Sequence, residues 1–291
     1  MSEVLTLVSR NADVASLAKR APGGAADVVD RSATDWRVAE RSVASAPDLI
    51  AWLEAEAIAH GVDWSITPAA NRRKRLLISD MDSTIIGQEC LDELADFAGL
   101  KAQVSAITER AMRGELDFAG ALTQRVAMLK GLELEALAKC HEQRVRLNPG
   151  AKELVATMKA HGARCVLVSG GFRYFTSRVA AMAGFHADRA NTLIDDGERL
   201  TGAVGQPILG REAKLAALNE ETAALGLGPA DTIAMGDGAN DLDMIRASGL
   251  GVAYKAKPVV AAETRARIEH TDLRAALFFQ GYGIDEIVSA V

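Results

Sequence analysis

The sequence is poor in cysteine. Three occur in 291 residues, Cys90, Cys140 and Cys165, an odd number with no Cys-x-x-Cys pair and no His/Cys spacing suited to zinc. Neither a disulfide framework nor a zinc site is therefore expected, and a reducing compartment fits. Long apolar runs are also missing: none approaches the roughly 20 residues needed to span a bilayer. The short apolar stretch Val4–Val8, flanked by Glu3 and Arg10, does not read as a signal peptide. A cytoplasmic protein is the expectation. Positive charge is not in excess either. The net charge is −6, from 33 Lys+Arg against 39 Asp+Glu, which counts against a non-specific nucleic-acid binder. The one basic cluster, Arg72, Arg73, Lys74 and Arg75, directly precedes an apolar run and reads as a solvated strand entrance.

What is present is ordinary globular material. Hydrophobic residues make up 49% and charged residues 25%, so disorder is not expected and the chain is long enough to bury a full core. Residues 1–70 carry no obvious chemistry. Val4–Val8 and Trp36–Val43 read as strands. Asp13–Lys19 reads as a short helix, and Ala46–His60 as an amphipathic one with Leu49, Ile50, Leu53 and Ala57 on its apolar side. A small N-terminal α+β domain is expected, followed by a linker at Thr67–Arg73.

From residue 74 the texture changes. Three apolar runs end abruptly in polar residues of catalytic type: Leu76-Leu77-Ile78-Ser79-Asp80, Cys165-Val166-Leu167-Val168-Ser169-Gly170 and Thr232-Ile233-Ala234-Met235-Gly236-Asp237. Near-continuous apolar runs of this length are typical of strands buried on both faces. Helical patterns at Ala151–His161, Tyr174–Ala183 and Glu212–Ala224 lie between them, so an α/β fold with a parallel sheet is expected. Ligands of such sheets bind beyond the carboxyl ends of the strands, where Asp80, Ser169 and Asp237 meet. Four further helical patterns fill residues 91–146, with breaks at Gly99, Gly114 and Gly131. An insert this long at the active edge reads as a cap over the site.

The polar residues suggest phosphoryl transfer. Asp80 and Asp82 follow one strand, and Asp237 and Asp241 follow another. Convergent carboxylates repel unless a cation joins them, and an all-oxygen donor set favours Mg²⁺ over softer metals. Ser169 and Gly170, followed by Gly171, offer a hydroxyl and backbone N–H groups to a phosphate. Lys214 supplies a point charge. A carboxylate nucleophile, a second carboxylate for proton transfer and a divalent metal suit transfer through an aspartyl-phosphate. Taken singly, each element has a plainer reading as a turn, a flexible loop or a solvated helix residue. Their joint occurrence at successive strand ends outweighs those readings.

Assembled in this order, the residues resemble the haloacid-dehalogenase-like phosphatases, and within them the branch that hydrolyses phosphoserine. Asp80-Met81-Asp82-Ser83-Thr84 is similar to the first family motif and Val168-Ser169-Gly170-Gly171-Phe172 to the second. Lys214 matches the third, and Gly236-Asp237-Gly238-Ala239-Asn240-Asp241 the fourth. Glu89–Leu94, Thr108–Phe118 and Arg125-Val126 resemble cap segments of that branch, whereas residues 1–70 match weakly. The resemblance implies a Rossmann-like core at 74–90 and 147–291, a helical cap at 91–146 and a small N-terminal domain at 1–70. It implies hydrolysis of phosphoserine to serine and phosphate, the last step of serine biosynthesis, with Mg²⁺ held by Asp80, the backbone carbonyl of Asp82, and Asp237. Asp80 is then the nucleophile and Asp82 the general acid/base. Ser169, Gly170 and Lys214 hold the phosphoryl group, with Asn240 nearby. Glu89 faces the substrate ammonium and Arg125 its carboxylate, and Met112 and Phe118 are candidates for an apolar wall. Physics favours the Glu89–Arg125 pair independently, because a zwitterion needs one anion and one cation to read it. A small-molecule substrate is implied, with neither nucleic acid nor membrane as partner. The oligomeric state stays open, a homodimer included. Transfer to another alcohol, or hydrolysis of another small phosphomonoester, is equally compatible with the motifs. A non-catalytic binding module would lack one of the key carboxylates, and all three are present.

Overall fold

The computed structural model describes residues 2–23, 27–44, 48–112 and 115–289. The start of the expected helix Ala46–His60, the break at Gly114 and the side chain of Met112 lie outside the described residues. Twelve strands run in chain order as β1 Glu3–Ser9, β2 Val28–Asp30, β3 Arg37–Val43, β4 Asp63–Pro68, β5 Leu76–Ser79, β6 Arg164–Phe172, β7 Ala187–Asn191, β8 Leu193–Asp195, β9 Leu200–Val204, β10 Thr232–Gly236, β11 Leu250–Tyr254 and β12 Ala266–Ile268. Helices α1 Val14–Arg20 and α2 Leu49–His60 belong to the N-terminal part. The insert holds α3 Cys90–Phe97, α4 Lys101–Met112, α5 Phe118–Ala127 and α6 Leu134–Arg144. The core adds α7 Ala151–Ala160, α8 Arg173–Ala183, α9 Arg211–Ala224, α10 Leu242–Ala247, α11 Pro258–Ala261 and α12 Ala275–Phe279.

β5 and β10 are buried at every position, as expected of strands covered on both faces. β5 pairs in parallel with β10 on one side and β6 on the other, and Ser79 stands opposite both Met235 and Leu167. That register brings Asp80, Asp237 and Ser169 to the same edge. The α/β architecture read from the sequence is thus the architecture observed.

Ten strands form one sheet in the order β2-β3-β1-β4-β12-β11-β10-β5-β6-β7. The N-terminal strands are antiparallel and pack their own apolar cluster, which includes Leu5, Leu17, Leu53 and Trp64. They are nevertheless continuous with the core sheet, because β4 pairs antiparallel with β12, Ser65 opposite Ala266. The expected linker begins later than Thr67, since β4 runs to Pro68.

Charged groups close this junction. Arg72 donates to Glu40 at 2.7 Å and to the carbonyls of Phe278 and Phe279. Lys74 is buried, and its ammonium is held at 2.7 Å by the carbonyls of Asn71 and Ala230. The basic cluster is therefore not uniformly solvated: it lies where the chain passes from the N-terminal strands into the core, and these two cations find partners there. Arg10 bonds Asp272 at 2.8 Å while lying 3.6 Å over the Trp36 ring.

The helices of the insert bury Leu94, Leu122, Val126 and Leu137 in the main apolar cluster. The hairpin β8–β9 ties them down. Gly131 N–H donates to Leu200 at 2.8 Å, Leu200 N–H to Leu132, and Leu134 N–H to Glu198.

Asp63, at the start of β4, is 1% exposed. It accepts the backbone N–H groups of Glu269, His270 and Thr271 at 2.7–2.9 Å, and the Thr271 hydroxyl. Asp63→Ala strands these donors and is expected to lower stability by about 3 kcal/mol. Urea melts of the variant and the parent protein measure the difference.

Candidate active site

β5 delivers Asp80 at its carboxyl end. The chain then makes a wide turn, closed by Ile86 N–H on the Met81 carbonyl at 3.0 Å. Within it Asp82 is extended and Ser83 takes φ +55°, a left-handed conformation uncommon for a non-glycine residue. The turn carries the Asp82 side chain back over the sheet edge. There it accepts Cys90 N–H at 2.9 Å and the Ser169 hydroxyl at 3.2 Å. Ser169 in turn accepts Gly171 N–H at 2.8 Å.

Beneath Asp80 lies a buried ion cluster. One oxygen of Asp80, Oδ1, accepts Met81 N–H at 2.8 Å and the Lys214 ammonium at 2.7 Å. The same ammonium bonds Asp241 at 2.6 Å. Asp241 accepts Gly238 N–H with its other oxygen at 3.0 Å. A Cβ at Gly236 would stand 2.3 Å from the Asp241 carboxyl, so only glycine allows this approach. Lys214 is 1% exposed. Burial works against its charge, but Asp80 and Asp241 outweigh burial and hold its pKa above the usual lysine range.

Asp80, Asp237 and Asp241 each place a carboxylate oxygen within 4.8 Å of the others. Both Asp241 oxygens are engaged, which leaves Asp80 Oδ2 and Asp237 as the open donors. An all-oxygen set of this kind fits a hard divalent cation. The Asp82 carboxylate lies outside the cluster, consistent with an expected contribution through its backbone carbonyl. Burial raises Asp80 well above the ordinary carboxylate range, with Asp241 adding to it and Lys214 opposing. Asp82 is raised to about 6 by burial and by Glu89. Asp237 is raised to about 6 by burial, Asp241 and Glu89.

Two charged residues, one just before the insert and one within it, face these groups. Glu89, just before α3, accepts the Ser83 hydroxyl at 2.7 Å. Arg125 projects from α5, with its Nε 3.4 Å from the Ala121 carbonyl. Both line the same cavity as Asp80, Asp82, Ser169 and Asp237. Its volume is about 150 Å³, below the roughly 300–1,000 Å³ of drug-sized sites, so it suits a small molecule. Phe118 also lines it: a Cβ on Gly170 would stand 3.0 Å from the Phe118 ring. Gly170 and Asn240 lie in the wall, so every site residue expected from the sequence lines the cavity except Lys214, which sits beneath it. Burial pushes the Cys90 thiol far up, which makes it a packing residue.

Two groups escaped the sequence reading. Asp241 was noted only as one of several carboxylates, and its bond to Lys214 spans 27 positions, a pairing no local pattern announces. Lys257, which also lines the cavity, stands in no motif.

A buried carboxylate flanked by a second carboxylate, a buried lysine, a serine hydroxyl and an acidic cluster that fits a divalent cation, on the edge of a parallel α/β sheet, is the chemistry of a phosphoryl-transfer hydrolase. The family model for haloacid dehalogenase-like hydrolases matches residues 77–246, and the chain belongs to that family. It is 47% identical over 204 residues to a phosphoserine phosphatase of Polaromonas sp., covering 68% of this chain and 86% of that one. It is 42% identical over 241 residues to a phosphoserine phosphatase of Streptomyces coelicolor, covering 82% of this chain and 58% of that one. Among solved structures, a HAD family hydrolase from Salmonella enterica serovar Typhi superposes with a TM-score of 0.87 at 30% identity, covering 96% and 98% of the two chains.

The raised Asp237 has a measurable consequence. Below about pH 6 its carboxyl holds a proton, which a cation must displace, so affinity falls as pH falls through that value. Calorimetric titration of the metal-free protein with magnesium chloride is expected to show dissociation constants roughly tenfold weaker per pH unit below 6, and little change between pH 7 and 8.

Proposed function

We infer that the protein is a phosphoserine phosphatase, hydrolysing O-phosphoserine to serine and phosphate. The observation that carries this reading is the placement of Glu89, just before α3, and Arg125, on α5, in one small cavity with Asp80, Asp82 and Ser169. The opposite charges suit the ammonium and carboxylate of an amino acid, and the core groups suit its phosphate. The names of the Polaromonas and Streptomyces relatives support the same substrate.

In this reading Asp80 Oδ2 forms the new bond to phosphorus while the bond from phosphorus to the seryl oxygen breaks. Asp82 gives its proton to the departing seryl oxygen, and its pKa near 6 suits a group that must release and regain a proton close to neutrality. A water then attacks phosphorus, passes its proton to Asp82, and frees Asp80 and inorganic phosphate. The Ser169 hydroxyl, the Gly170 N–H and Lys214 hold the phosphoryl oxygens, with Asn240 beside them. Asp80, the Asp82 carbonyl and Asp237 would hold Mg²⁺, which would supply neutralisation of charge on the transferred group.

Residues 91–146 act as a cap that excludes water and reads the amino-acid head group, over a core at 74–90 and 147–291. Residues 1–70 form a supporting N-terminal unit. We read the enzyme as cytoplasmic and as open to homodimer formation. No described helix is long and apolar enough to cross a membrane, and the three cysteines are free.

Phosphate release from a panel of phosphomonoesters, with Mg²⁺ and no added alcohol, tests the assignment. Phosphoserine is expected to lead the panel, and Asp80→Asn to lose at least about 10³-fold in kcat. A sugar phosphate or pyridoxal phosphate turned over faster than phosphoserine refutes the substrate. Arg125→Ala is expected to lower kcat/KM for phosphoserine by roughly 10–100-fold, the loss of a charge-assisted bond, and to leave an aryl phosphate nearly unaffected. Equal losses on both refute its carboxylate-reading role.

A further inference from the structure

Lys257 belongs to no recognised motif, yet it lines the same cavity as Asp80, Asp82 and Asp237. It follows β11, the strand beside β10 and on the side away from β6. Its backbone N–H donates to the carbonyl of Asp237 at 2.9 Å, which fixes the start of its side chain one residue-contact from the open carboxylate of the cation site. Pro258, the first residue of α11, restrains the backbone that follows. Among the described residues no carboxylate oxygen lies within ion-pair distance of the Lys257 ammonium. Lys214, by contrast, already bonds Asp80 and Asp241 with two of its three donors. Lys257 is also the foremost cationic influence on Asp237, ahead of Lys214.

The charge of the cavity gives this lysine a task. Four carboxylates line the cavity, Asp80, Asp82, Glu89 and Asp237, against two cations, Arg125 and Lys257. A phosphate dianion entering such a wall is repelled unless cations meet it. Ser169 and Gly170 bound the site on the β6 side. Among the described residues, Lys257 is the cationic lining residue on the β11 side.

We propose that Lys257 is a further substrate-binding residue, whose ammonium takes the non-bridging oxygens of the phosphoryl group, and of the phosphate product, from the β11 side of the cavity. The proposal rests on the phosphatase reading of this cavity and not on which ester is the substrate. The same position makes Lys257 oppose the divalent cation electrostatically. Removing it should therefore weaken anion binding and, with opposite sign, leave cation binding equal or tighter. A residue that merely supported the fold would loosen both.

The test uses the full-length protein with Lys257→Met and Lys257→Arg. The side chain is exposed, and its backbone bond to Asp237 survives either change, so both variants should fold. Three quantities are read: the inhibition constant of inorganic phosphate, KM for phosphoserine and for an aryl phosphate, and the Mg²⁺ dissociation constant by calorimetry without substrate. In Lys257→Met the phosphate inhibition constant and both KM values should rise roughly 10–100-fold, the worth of one charge-assisted bond. Mg²⁺ should bind as well as before or a few-fold more tightly, and Lys257→Arg should restore most of the anion affinity. Unchanged phosphate inhibition overturns the proposal. A KM increase for phosphoserine alone overturns it in favour of a carboxylate contact. Parallel weakening of phosphate and Mg²⁺ overturns it in favour of a structural role. The aryl phosphate and inorganic phosphate arms hold whatever the preferred ester, so a failure of the phosphoserine assignment is separately visible.

Discussion

The ammonium of Lys214 is shared between Asp80 and Asp241 at 2.7 and 2.6 Å, with all three groups buried. Without it, two carboxylates would be packed together at the edge of the sheet with no cation between them. Removing one partner of a buried ion pair typically costs about 3–5 kcal/mol, because the remaining charge is left unpaired. The arrangement also has a functional consequence. It engages Asp80 Oδ1 and one oxygen of Asp241, whose other oxygen accepts Gly238 N–H, and leaves Asp80 Oδ2 and Asp237 as the open acceptors. The lysine thus sets which oxygen of Asp80 stays open toward the cavity.

That cluster depends on strand register. Asp80 comes within one residue of the level of Asp237 because Ser79 pairs with Met235, and of Ser169 because Ser79 also pairs with Leu167. A slip of one residue would turn these side chains to the opposite face. Register is held by the unbroken burial of β5 and β10 between two layers of helices. The apolar core and the polar site are consequently one design problem: the same parallel pairing that removes Leu77, Ile78 and Ile233 from water aligns the residues beyond them.

What could be read in the sequence follows from this physics. Strands buried on both faces leave unbroken apolar runs, so β5, β6 and β10 were visible, and the polar residues that end them marked the site. The cap helices were visible through their apolar spacing and the glycines between them. β4 was not, because Asp63, Ser65 and Thr67 alternate polar side chains into buried positions. Asp63 is compensated there by N–H groups more than 200 residues away. β7 and the hairpin β8–β9 are half-exposed and mixed in composition, so they lack the apolar signature. The partnership of Lys214 with Asp241 was hidden for a related reason. A lysine on a helix reads as solvated until the fold supplies its two carboxylates.

The site divides its work between rigid and insertable parts of the chain. Asp80, Asp82, Ser169 and Asp237 are fixed at strand ends or in turns bonded directly to them, where small displacements would cost both packing and charge balance. Glu89 stands just before the insert, and Arg125 and Phe118 come from it; the insert is anchored to the core through the Gly131–Leu134 contacts with β9 and its turn. The first group is held by the register of the sheet, whereas Arg125 and Phe118 are carried by the insert. A change within residues 91–146 can therefore reshape the cavity wall while the carboxylates and the lysine retain the geometry that the sheet imposes on them.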